Sequence, residues 1–213
     1  MSAIVCEHEN QRSFRIFIRC LNVVMAALLL GGNLLLLGGC GSGLDVSKLS
    51  TTPMPQTPPS ANQARIVFVR PVQRAGPGGY AVSVWADGSL VAFVRAGKRA
   101  FVDLPAGKHL LLAVAASGDV LEADLAPGKT YFVHTRLVSY YMGSSVFIDP
   151  MYQGHENWSQ LQEWLDNTQL TELIPAEADE WTRRHASDND RRLERYESRP
   201  MADRKFIRPE FGI

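Results

Sequence analysis

The chain has 213 residues, 22 basic and 22 acidic side chains, five histidines and three cysteines. Balanced charge without a basic stripe excludes the electrostatic footprint of a nucleic-acid binder. The length suits one ordinary domain with an appendage.

The N-terminal stretch carries Arg12, Arg15 and Arg19 and turns apolar from Leu21 to Leu37. Positive residues followed by an apolar core are the parts of a secretory signal. A membrane span needs about twenty apolar residues. This one is shorter, is interrupted by Asn22, Gly31, Gly32 and Asn33, and has no basic cluster on its far side. The leader ahead of Leu21 is long and holds Glu7 and Glu9, which suits translation starting later than Met1.

The core ends in Leu37-Gly38-Gly39-Cys40, which resembles the lipobox of bacterial lipoproteins. The resemblance implies cleavage before Cys40, a diacylglyceryl thioether on its sulfur, and a further acyl chain such as palmitate on its amine. Residues 1–39 are then signal peptide, and the membrane is a partner through Cys40. One acyl chain binds a bilayer only marginally, at about 0.8 kcal/mol per buried CH₂, whereas three make release negligible. Gly41 follows the cysteine instead of Asp. By analogy with enteric lipoproteins this implies the periplasmic side of the outer membrane. Cleavage removes Cys6 and Cys20, so neither a disulfide nor a thiolate metal site is expected.

Residues 40–64 read as a linker. Thr51-Thr52-Pro53-Met54-Pro55-Gln56-Thr57-Pro58-Pro59-Ser60 has little to bury, and its prolines disfavour helix and sheet. Stretched out, it reaches on the order of 80 Å at about 3.3 Å per residue.

Residues 65–150 read as an antiparallel β-sandwich of about seven to eight strands, followed by a helical extension over 151–213. Short apolar runs predict strands over 65–70, 80–86, 89–94, 99–104, 109–115, 120–125, 130–139 and 144–148. Asp87-Gly88 predicts a two-residue hairpin turn with positive φ. Gly107 and Gly128 punctuate later turns. Alternation puts Leu121, Ala123 and Leu125 on one face and Glu122 and Asp124 on the other. The unbroken run from Leu110 to Ala115 predicts cover on both faces. Trp85 lies opposite Val82 and Val84. It needs cover from the same chain, or it offers a surface to a sugar or a partner.

The ordered motifs Arg65-Ile66-Val67-Phe68-Val69-Arg70-Pro71, Asp87-Gly88, Leu104-Pro105-Ala106-Gly107-Lys108-His109 and Gly128-Lys129-Thr130-Tyr131 resemble the domain of unknown function 2846 family. Its members are often bacterial lipoproteins, and PEGA-like sandwich repeats share the turn pattern. The resemblance covers residues 64–139 and implies a fold. It carries over no catalytic residue.

Enzyme chemistry finds little support. Gly128-Lys129-Thr130 lacks the earlier glycine of a phosphate loop, since Ala123 stands there. Glu122 and Asp124 fit the wet face of a sheet better than an acid–base pair. His109, His134, His155 and His185 form no ligand motif, and no G-x-S-x-G elbow occurs. No catalytic residue, cofactor or metal is therefore expected.

In the extension, Trp158, Leu161, Trp164 and Leu165 form the stripe of a short helix, expected to pack near Trp85. Pro175 suits the start of a second helix, whose charges predict a solvated rod. Residues 201–213 read as a loose tail. The reading is a lipid-anchored, non-enzymatic envelope module with a protein or glycan partner. The alternative is a lipoprotein that binds a glycan or small molecule through Trp85.

Cys40→Ser should block labelled-palmitate incorporation and signal cleavage by the lipoprotein peptidase, checked by labelling and fractionation of wild type and variant. Equal membrane retention with an unlabelled wild type would restore the transmembrane reading.

Overall fold

The computed structural model describes residues 46–72, 80–141 and 143–213. The signal and Cys40 lie outside them. Eleven strands are present among the described residues: β1 (Ser47–Leu49), β2 (Gln63–Arg70), β3 (Val82–Ala86), β4 (Ser89–Val94), β5 (Lys98–Pro105), β6 (Gly107–Val114), β7 (Gly118–Leu125), β8 (Thr130–Tyr140), β9 (Gly143–Met151), β10 (Gln169–Leu173) and β11 (Phe206–Ile207). The helices are α1 (Leu161–Asp166), preceded by a 3-10 turn over Trp158–Gln160, and α2 (Pro175–Glu197).

The strands form two sheets, ordered β1-β10-β5-β2-β8-β9 and β11-β7-β6-β3-β4. Their facing sides share one core. Ile66, Phe68, Val133 and Ile148 come from the first sheet, and Val84, Leu111, Leu121 and Ala123 from the second. All eight predicted strands are present, because each combines a period-two or fully apolar run with a turn at its end. The Asp87-Gly88 turn has φ of 49° and 84°, the hand that matches a twisted hairpin.

Two expectations need correction. The sheets are mixed, not antiparallel: β10 runs parallel to β5, β2 to β8, and β11 to β7. The sandwich also does not stop at residues 65 and 150. The linker supplies β1, and the extension supplies β10 and β11. β1 and β11 have three and two residues, too few to show a period, and β10 lies between two helical stretches.

The linker is laid down on the domain. Val46 is fully buried, and the buried Arg65 guanidinium donates to the carbonyls of Pro55 and Thr57 at 2.9 and 3.0 Å. The tail is docked as well. Ile213 and Thr130 exchange backbone hydrogen bonds of 2.8 and 3.0 Å, and Lys129 Nζ donates to Gly212 O at 2.9 Å.

Both outer faces are covered, each by a helix. Leu161, Trp158, Trp164 and Leu165 pack on Val67, Val69, Phe132 and Met151 of the first sheet. Arg99 secures α1 by donating to the Leu165 carbonyl at 2.7 Å and to that of Thr168. The other sheet carries Trp85, Leu90, Phe93, Leu112 and Val120 on its outer face, under Ala178, Trp181, Leu193 and Tyr196 of α2. The Trp158 helix is therefore on the opposite side from Trp85, and the charged helix is the lid. Its buried stripe includes His185 and Asn189, polar residues that break the apolar signal of the face.

Val120→Ala should cost about 2 kcal/mol and Leu161→Ala about 2–5 kcal/mol. Because the two sites lie on opposite outer faces, the double variant should be additive within about 0.5 kcal/mol. Denaturant unfolding measures this, and coupling well above that would place both residues in one cluster.

Candidate functional site

Trp85 is only 2% exposed. Its Nε1 donates to Ser83 Oγ at 3.1 Å, and its ring centroid lies 6.5 Å from that of His185 on α2. It therefore presents no sugar platform and no partner surface. The large aromatic is covered by its own chain.

The groove nearest the weighed chemistry lies between β6, β7 and the C-terminal strand. It has a volume of about 470 Å³ and is lined by Lys108, His109, Glu122, Asp124, Phe206 and Arg208, among others. Inward packing of Leu121, Ala123 and Leu125 turns Glu122 and Asp124 outward. Parallel pairing of Phe206 with Glu122 then brings the tail across them. Tyr196 Oη and Arg204 Nη1 donate to Glu122 Oε1 at 3.1 and 3.2 Å. Burial first, and then this carboxylate, push the Tyr196 hydroxyl up to about 12. Glu122 thus anchors α2 and the tail, whereas Asp124 is exposed. Both carboxylates line the groove, but Glu122 is taken up by Tyr196 and Arg204.

The four described histidines have different hydrogen-bond and ring partners. His109 Nδ1 lies 2.6 Å from Asp87 Oδ2 and its Nε2 lies 2.8 Å from Pro105 O. Asp87 Oδ1 also accepts from Leu110 N at 3.0 Å, so this pair clamps two turns together. His185 Nδ1 donates to Trp181 O at 2.9 Å, and its ring stacks on Trp181. His155 Nδ1 accepts from Asn157 N at 3.2 Å. His134 is buried 4.4 Å, centroid to centroid, from Trp164.

Several residues of the quoted motifs hold the fold together. Arg65 makes a two-pronged pair with Asp103 at 2.7 and 2.9 Å. At the other end of β2, Arg70 Nη1 donates to Tyr80 O at 2.5 Å and Val94 O at 3.2 Å. Tyr131 Oη accepts from Ala126 N at 2.8 Å and donates to Pro209 O at 3.2 Å.

Sequence reasoning missed Lys205. Its ammonium donates to Asp119 Oδ2 at 2.7 Å, Asp149 Oδ1 at 2.9 Å and Ile148 O at 3.2 Å. Burial alone would raise the Asp149 pKa, but hydrogen bonds from Arg136 and Lys205 outweigh it and hold the carboxyl low. No local pattern marks Lys205, because its partners lie far away in sequence.

No family model, curated protein or solved structure matches this chain.

Burial is the main cause that pushes His134 down to about 4, with Arg136 and His155 adding to it against Asp149. Between the ordinary value of 6.5 and about 4, the unfolded chain binds a proton that the folded chain does not. Stability is therefore full above that window and falls on acidification through it, by on the order of 3 kcal/mol. In chemical denaturation at pH 7 and pH 4.5, His134→Leu should flatten this loss. An unchanged slope would refute the assignment.

Proposed function

We propose that the protein is a lipid-anchored envelope lipoprotein whose sandwich is a non-catalytic interaction module at the periplasmic side of the outer membrane. The observation that carries this reading is Leu37-Gly38-Gly39-Cys40 after a signal-like core. The start of the fold supports it. Val46 is already buried, so the chain from Cys40 to the fold spans at most about 20 Å at about 3.3 Å per residue. The module works against the bilayer surface, not at the end of a long stalk.

The groups that could have carried chemistry support the non-catalytic part. Glu122 holds Tyr196 and Arg204, and His109 holds Asp87 and Pro105 O. The resemblance to the domain of unknown function 2846 lipoproteins belongs to the same reading, since several residues of the quoted motifs tie down a turn or an end of β2. Among the described residues no helix is long and apolar enough to cross a membrane.

A photocrosslinking residue at Lys108, beside the tail groove, should yield a discrete envelope adduct in cells, and Cys40→Ser should abolish it by blocking lipidation and delivery to the outer membrane. An adduct pattern that Cys40→Ser leaves unchanged would contradict a membrane-apposed module.

A further inference from the structure

The C-terminal end of α2 and the β6–β7 turn enclose a cleft of about 350 Å³ that Tyr196 also lines. Arg192, Arg195 and Arg199 line it, over a floor of Leu112, Val120 and the Tyr196 ring. None of the three arginines pairs with a carboxylate among the described residues. Their neighbours differ: Arg183 and Arg184 share Glu180, Arg191 pairs with Asp188, and Arg204 with Glu122. Of the three, Arg195 lies in the last turn of α2, where a cation suits the helix dipole, and Arg199 lies just past the helix end; this does not account for the shape opposite them.

That shape depends on Gly118. Its backbone is not among the left-handed glycines, so the conformation does not demand glycine. The space does. A Cβ there would lie 3.2 Å from Arg192 Nη1 and 3.3 Å from its Cδ. The missing side chain lets this guanidinium lie against the turn. Ser117, next to it, accepts from Val146 N at 2.9 Å and donates to no protein group among the described residues. The cleft thus combines three forked donors, one hydroxyl donor and an apolar floor.

Guanidinium groups match phosphate oxygens in two-pronged geometry, and an anion between them relieves their mutual repulsion. We propose that this cleft binds the phosphate group of a ligand with an apolar or glyceryl body. The phosphate belongs to a free phosphorylated molecule or to a phospholipid headgroup. The proposal does not depend on Cys40.

The test uses the full chain in neutral detergent, titrated calorimetrically with inorganic phosphate and with short-chain phosphatidylglycerol, with short-chain phosphatidylcholine as the comparison. Saturable binding of either anionic probe is expected. Arg192→Gln and the exposed Arg199→Gln should each weaken it about tenfold or more, as expected for a lost charged hydrogen bond. Gly118→Ala should weaken it by displacing Arg192, and Arg183→Gln should leave it unchanged. Binding of phosphate alone assigns the site to a free ligand, and binding of phosphatidylglycerol over phosphatidylcholine assigns it to a headgroup. Far-ultraviolet circular dichroism checks that the variants fold, and Arg199→Gln keeps the test decisive if Arg192→Gln does not. Absence of saturation with both anionic probes, or equal affinities for Arg199→Gln and Arg183→Gln, would overturn the proposal.

Discussion

The central strands are buried on both faces, and the rest of the architecture follows from covering them. Every residue of β2 from Ala64 to Arg70 is buried, as is every residue of β3. One face of each sheet is satisfied by the other sheet. The second face would expose Val67 and Val69 on one side, and Trp85 and Leu112 on the other. Burial of such side chains contributes about 1.5–3 kcal/mol each, so each outer face recruits a helix. The result is four layers, α1, sheet, sheet and α2, from a chain whose β-region alone suggests two.

Burying β2 from Ala64 onward creates a second constraint, because the strand carries Arg65 near its start and Arg70 at its end. A buried guanidinium is tolerated when its donors are used. Arg65 uses Asp103 and two linker carbonyls, and Arg70 uses the carbonyls of Tyr80 and Val94. Lysine could not hold Asp103 at two points and the linker as well, since its ammonium is a single point of charge. The Arg65 contact changes what the linker is. A proline-rich stretch that reads as a free tether becomes a strap over the sandwich.

The C-terminal tail plays the same part at the other edge. Lys205 joins β7 to β9 through Asp119 and Asp149, and Arg204 and Tyr196 converge on Glu122. A carboxylate that looked like the solvent side of a strand is therefore the meeting point of a helix, a tail and a sheet. Tyr196 also lines the cleft of Arg192, Arg195 and Arg199, which no carboxylate lines.

Local chemistry was readable from the sequence alone. The eight longer strands, the Asp87-Gly88 hairpin and the Pro175 helix start depend on neighbouring residues, through period, positive φ and a missing amide proton. The two-sided cover of β6 was also visible, in a run of apolar residues with no alternation. Tertiary structure decided the remainder. β1, β10 and β11 exist because other strands offer unpaired edges. Two or three residues cannot announce that in advance for β1 and β11, and β10 lies between two helical stretches. The cover of Trp85 fell to α2, because His185 and Asn189 occupy its buried stripe and disguise it as a solvated helix. The arginine cleft required Gly118 and residues 192–199 to meet across more than seventy positions of chain, and no spacing along the sequence records that meeting.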